Sequence, residues 1–160
     1  MMPKTLQIGT PNDTDIVATR FFKAPPSLVF DCHTKPELVR LWQSGPDGWE
    51  WTICEIDLRV GGAYHYRWRN GDGVEIGFRG TYDVIEPPTK IVHSETFEGG
   101  NDTTVNTLLL EAKDGGTLMT YTMRTPSKAV RDAMIASGMA GGMEIGYGRL
   151  DRYLAAQTGG

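Results

Sequence analysis

The chain has no dense run of lysine and arginine, no CxxC pair, no HxH or HExxH spacing, and no apolar stretch approaching the roughly 18 residues that span a bilayer. Each absence removes a class of function. Without a basic patch, and with a formal net charge of −4, the chain offers no electrostatic footing for a phosphate backbone, so no nucleic acid partner is expected. The two cysteines, Cys32 and Cys54, stand far apart, which argues for a reducing compartment rather than a disulfide framework. His33, His65 and His93 are scattered as well, so neither a metal nor a cofactor is expected. No Ser/His/Asp or Cys/His arrangement is visible. Gly71-Asp72-Gly73-Val74 has neither the GxxxxGK spacing nor a following helix and reads as a hairpin turn instead of a phosphate loop. The N-terminus shows no basic segment followed by an apolar run and a cleavage site, so a cytoplasmic location without membrane insertion is expected.

What is present is a globular composition. At 160 residues, 39% of them apolar and 22% charged, the chain can bury one core without staples. Residues 1–14, with Pro3, Gly9, Pro11 and Asn12, read as a flexible arm, and residues 15–157 as a single domain. Asp15–Ala24 is rich in β-branched and aromatic residues and stops at Pro25-Pro26, as a strand would. Ser27–His33 and Pro36–Trp42 follow as two short helices, with Pro36 suited to a first helical turn.

From Trp49 the hydrophobic period changes to two. Turn chemistry recurs at Gly61-Gly62, Asn70–Gly73, Pro87-Pro88, Gly99–Asn101 and Asp114–Gly116. The runs between predict strands over Trp49–Leu58, Ala63–Arg69, Glu75–Ile85, Lys90–Glu98, Thr103–Lys113 and Thr117–Met123, an antiparallel meander of six strands, or seven with the first. Tyr64, Tyr66 and Trp68 share one face, as do Ile76, Phe78, Gly80, Tyr82 and Val84, and Met119, Tyr121 and Met123. Trp49–Leu58 and Lys90–Glu98 carry apolar residues in both registers; Trp51, His93 and Phe97 are placed inward. The tail from Ser127 returns to helix spacing, with a break expected near Gly138 and a main helix over Ala140–Ala156. A sheet with one aromatic face and an amphipathic helix each need cover, and packing them together meets both needs. The fold class is therefore α+β, a curved antiparallel sheet around a C-terminal helix.

The order of elements resembles the START-like (SRPBCC) superfamily with its helix-grip fold. More narrowly, the run Cys54–Tyr64, Gly80-Thr81-Tyr82 leading to Glu86-Pro87-Pro88, Gly116–Thr120, and Gly138-Met139 followed by Arg149-Leu150 are similar to homologues of the heat-shock-protein-90 ATPase activator, over about Asp15–Ala156. The resemblance implies the fold and a cavity between sheet and helix. It also implies, as alternatives, a co-chaperone-like interaction module or a cyclase/dehydratase-like enzyme using the same cavity.

The constellation able to carry function is aromatic and methionine-rich: Trp42, Trp51, Tyr64, Tyr66, Trp68, Phe78, Tyr82, His93, Met139, Met143 and Tyr147. Several of these side chains have a polar tip, so they could line a pocket for a small hydrophobic or amphipathic molecule as well as fill a core. His93 and Glu95 share a parity; facing the cavity they would orient a ligand or move a proton, whereas the expectation adopted is that they pair with each other or with solvent at an edge. Arg20, Asp57, Arg59, Arg79 and Asp83 are read as a solvated ladder of strand charges. Ligand binding without catalysis is the function expected, and a homodimer is compatible with a domain of this kind.

Overall fold

In the computed structural model, which describes residues 3–159, a short strand β1 (Gln7–Gly9) precedes the first long strand, β2 (Asp15–Phe22). Pro26 opens α1 (Pro26–Thr34), Pro36 opens α2 (Pro36–Trp42), and the meander follows as β3 (Glu50–Ile56), β4 (Ala63–Arg69), β5 (Glu75–Glu86), β6 (Lys90–Phe97), β7 (Thr103–Lys113) and β8 (Gly116–Arg124). Two helices close the chain, α3 (Lys128–Ala136) and α4 (Met139–Thr158). Gly138, at φ 83°, makes the break between them, a backbone angle that suits glycine. The strands form one antiparallel sheet in the order β1-β2-β8-β7-β6-β5-β4-β3. Among the described residues, no helix is long and apolar enough to cross a membrane.

The sheet thus has eight strands rather than six or seven, and the additional one falls in the segment read as a flexible arm. Gln7, Ile8 and Gly9 pair with Thr19, Ala18 and Val17 at the sheet edge. The Leu6 amide donates to Glu144 Oε2 at 2.5 Å, and the Leu6 side chain packs on the core. All three β1 residues are exposed, so the segment carries no alternating apolar signal by which sequence could find it. Residues 1 and 2 of the expected arm lie outside the described residues.

The concave face carries the core. Phe22, Val29, Val39, Trp42, Tyr64, Leu110, Met119, Leu150 and Leu154 are buried together there, along with the free thiols of Cys32 and Cys54. Helix α4 is fastened across this face by two devices. Trp42 stacks on Tyr147, with centroids 5.3 Å apart, and gives its indole N–H to the Cys32 carbonyl at 2.8 Å. Gly146 lets the two helices meet, since a Cβ there would stand 2.8 Å from the Trp42 carbonyl oxygen.

The second device is Arg20. It was expected on a solvated ladder, but its side chain is only 3% exposed and points from β2 into the domain. There it bonds Glu144 at 2.6 Å and Asp151 at 2.9 Å, both on α4, and lies over the rings of Phe22 and Tyr147. The alternation of β2 puts Arg20 on the same side as Ile16, Ala18 and Phe22, all fully buried, and the two carboxylates supply the charge that this burial demands. The Asp57–Arg59 pair, by contrast, is exposed as expected.

One facing differs as well. Between Tyr82 and Val84 the pairing of β5 with β6 shifts by a bulge at Asp83, so Val84 pairs with Val92 and Ile85 with buried Ile91. Ile85, rather than Val84, packs on the core because the inserted residue reverses the parity.

Arg20→Ala is expected to cost about 2–3 kcal/mol, because it strands two carboxylates against α4. Arg59→Ala, which removes an exposed pair, should stay within about 0.5 kcal/mol. Urea denaturation of both variants checks the contrast.

Candidate functional site

The single helix α4 does not cover the whole concave face, and a cavity of about 1030 Å³ remains between β4–β8, α3, α4 and the segment that follows α2. Of the expected site residues, Trp42, Tyr64, Tyr66, Trp68, Phe78, Tyr82, His93, Met139, Met143 and Tyr147 all line it. Trp51 does not. It sits opposite Trp68 where β3 has an irregular register, its ring 4.7 Å from that of Trp68, and its indole N–H bonds the Arg40 carbonyl on α2 at 3.2 Å. It backs the wall instead of forming it.

The wall is a continuous aromatic strip. Tyr64, Tyr66 and Trp68 alternate inward along β4, with centroids 5.0 Å and 6.2 Å apart. Trp68 meets Phe78 of β5 at 5.7 Å, and Phe78 meets Phe97 of β6 at 5.4 Å. Across the cavity, α3 contributes Ala129, Val130, Ala133 and Met134. No residue of α3 is buried, although its apolar side is well defined, because that side faces the cavity rather than a packed core.

One polar cluster interrupts this wall. Strand β6 is flanked by β5 and β7, so His93 and Glu95 are not at an edge, and both line the cavity. The expectation that they pair with each other or with solvent is corrected: Glu95 is held by Asn106 of the adjacent β7, and His93 by Tyr64 of β4 and Tyr121 of β8, each one strand further away. Tyr64 donates its hydroxyl proton to the Ser94 carbonyl at 2.7 Å, which leaves its oxygen, 3.1 Å from His93 Nδ1, as an acceptor. Nδ1 is also 3.0 Å from the Ser94 carbonyl, so Nδ1 carries the imidazole proton. Nε2 then accepts from the Tyr121 hydroxyl at 3.2 Å, and Asn106 Nδ2 donates to that hydroxyl at 2.8 Å. The same amide nitrogen donates to Glu95 Oε2 at 3.2 Å. The other carboxyl oxygen, Oε1, has no partner among the described residues and is left to the cavity.

Burial sets the charge states. With one hydrogen bond to offset desolvation, the Glu95 carboxyl is pushed up to about 7. His93 is lowered by burial, and His33, which also lines the cavity, is pushed down to about 4 by the same cause. Burial raises the Tyr82 phenol to about 12 and holds those of Tyr64, Tyr66, Tyr121 and Tyr147 high, so all remain hydroxyl donors. His33 Nε2, Trp68 Nε1, Thr104 Oγ1 and Asn106 Oδ1 are buried with no hydrogen-bond partner among the described residues, and the first three belong to wall residues. Among the described residues, no group of three or more His, Cys, Asp and Glu side chains is placed to hold a metal ion.

Sequence reasoning missed Asn106 and weighed Tyr121 only as an apolar position. Asn106 is fully buried and sits two and four residues from buried Leu108 and Leu110 on the inward parity of β7. A polar residue at such a position is the signal that could have drawn attention to it.

An antiparallel sheet folded over a C-terminal helix, with a cavity between them, makes this a START-like domain of the helix-grip kind. The chain belongs to the family described as Activator of Hsp90 ATPase homolog 1-like protein, which matches residues 23–155. A crystal structure of a Rhodobacter sphaeroides protein is 33% identical to it, with a TM-score of 0.91 over 95% of this chain and 99% of the other. Protein Ms6760 from Mycobacterium smegmatis is 22% identical, with a TM-score of 0.84 over 96% and 99%. An AHSA1-like protein from Aeromonas hydrophila is 21% identical, with a TM-score of 0.70 over 90% and 94%. The latter two likenesses concern the fold alone. Among curated proteins, none matches the chain.

Two buried wall groups, Glu95 and His33, also make stability depend on pH. Glu95 titrates near 7 when folded against an ordinary 4.5, so folding costs nothing there at low pH and progressively more as pH rises through 7. His33 titrates near 4 against an ordinary 6.5, so its cost runs the other way and grows as pH falls. The two slopes oppose each other over the middle of the range. Glu95→Gln should therefore gain on the parent as pH rises from about 5 to 8, by on the order of 2–3 kcal/mol at most. Melting curves across that range check it, and parallel curves would show that Glu95 is not desolvated.

Proposed function

We propose that this domain binds a small hydrophobic or amphipathic molecule in the cavity between the sheet and the C-terminal helix. The observation that carries the reading is the cavity itself: about 1030 Å³, largely apolar, with an aromatic strip along its sheet side and one hydrogen-bonded polar cluster at Glu95, His93, Tyr121 and Asn106. Its volume sits at the upper end of the range typical of ligand sites, which combine apolar walls with a few placed polar groups. The polar cluster would fix one end of a ligand and the aromatic strip its body. The family description also names an activator of Hsp90 ATPase, and a chaperone partner would use the outer surface rather than the cavity.

Thermal melting with fatty acids, aromatic polyketides and other amphipathic metabolites tests this reading. A true ligand at a hundredfold excess over its Kd adds about 2.7 kcal/mol of stability, or roughly 5–10 °C. Ala133→Trp, which places a large ring on the cavity side of α3, should weaken that shift while leaving the ligand-free melting temperature nearly unchanged. A flat response across the panel would refute the reading.

A second reading, proton transfer on the bound molecule, is favoured by the position of Glu95 and His93 on the cavity wall. It requires turnover of a bound compound, and Glu95→Gln or His93→Ala should abolish that turnover while binding persists.

A further inference from the structure

The charges around the cavity are one-sided. Among the described residues that line it, Glu95 and Asp102 are the formally charged side chains, and neither lysine nor arginine contributes to the wall. The two wall histidines, His33 and His93, are held towards the neutral form by burial. Arg20 comes within 5.7 Å of the centroid of the wall residue Tyr147, but its guanidinium is already taken up by Glu144 and Asp151. Arg149 reaches the wall residues Ser44 and Gly45 but is engaged by Asp47 at 3.0 Å. A carboxylate or phosphate entering this space would therefore lose its hydration, meet acidic groups and find no free counter-charge among the described residues.

A cation meets the opposite conditions. Asn106 orients the Glu95 carboxyl through Oε2 and leaves Oε1 to the cavity. Tyr121 shares the Asn106 amide with it, and Tyr64, Tyr66 and Tyr147 line the same cavity, so an ammonium group there would have tyrosine rings, which attract cations, among its neighbours. Resting on the ligand-binding reading above, we infer that the cavity selects a lipophilic amine, whose ammonium group seats on Glu95 and whose apolar body lies along the strip Tyr66–Trp68–Phe78–Phe97. The incoming charge supplies what the wall lacks, a partner for a carboxylate otherwise held by a single amide. The desolvation that keeps Glu95 protonated up to about 7 is then offset by the bound cation.

Three probes that share a naphthalene body and differ in the head group test the inference: naphthylethylamine, naphthylethanol and naphthylacetate, each titrated calorimetrically into the full chain near neutral pH. The amine should bind about tenfold tighter than the alcohol, and the carboxylate weakest of the three. Glu95→Gln, which keeps the shape but not the charge, should bring the amine down to the affinity of the alcohol. Asp102→Asn, at the cavity mouth, should leave the order of the three unchanged. If the carboxylate binds as well as the amine, or the preference for the amine survives Glu95→Gln, the amine assignment is overturned while ligand binding stands. If none of the three binds, both readings fall together.

Discussion

Arg20 is the point on which the architecture turns. A guanidinium is costly to bury, and this one is buried because two carboxylates of α4 converge on it while the rings of Phe22 and Tyr147 flank it. The contact commits α4 to the side of the concave face where β2 lies. The Trp42–Tyr147 stack and the close approach at Gly146 fix the same helix against α2. Glu144 also accepts the Leu6 amide, so the edge strand β1 is tied to the same carboxylate. With the helix anchored there, the inward side chains of β4, β5 and β6 are left facing space, which α3 bounds from across the cavity.

That division explains why the same kinds of residue serve two purposes. Phe22, Leu150 and Leu154 meet partners directly and form solid core. Tyr64, Tyr66, Trp68 and Phe78 pack edge to edge along the sheet but turn their remaining surface to the cavity. A tyrosine or tryptophan carries enough apolar surface to stabilise the sheet and a polar tip that needs a partner. Some tips find one, as Tyr64 does at Ser94 and Tyr121 at His93, while the Trp68 indole N–H has none among the described residues. The wall is therefore apolar enough to stabilise the sheet and polar at one place, where Glu95, His93, Asn106 and Tyr121 meet.

Electrostatics within the domain follow from which face of the sheet a residue looks to more than from which residue it is. Glu98 and Glu95 lie three positions apart on or beside one strand. Glu98 faces outward between His65 and Arg67, which hold its carboxyl below the ordinary range, whereas Glu95 faces inward and burial drives its carboxyl up. Two like residues separated by an odd number of positions on a strand look to opposite sides of the sheet, and the media on those sides differ.

The amino-acid sequence by itself determined the element order from β2 onward, the antiparallel meander, the inward face of Tyr64, Tyr66 and Trp68, and the break at Gly138. These rest on local chemistry: period-two alternation, proline and glycine at turns, and helix spacing, all readable within a few residues. The resemblance over Asp15–Ala156 pointed to the helix-grip arrangement through turns and packing positions. Tertiary structure alone decided the rest. Whether His93 and Glu95 meet solvent or a cavity depends on β6 being flanked by β5 and β7, and the burial of Arg20 depends on two carboxylates more than a hundred residues away along the chain. The bulge that turns Val84 outward, the withdrawal of Trp51 behind the wall, and the pairing of the exposed Gln7–Gly9 segment all arise from cross-strand partners. Such contacts leave no periodic trace in the chain, because the partner that gives each residue its role is distant in sequence and near only once the sheet has formed.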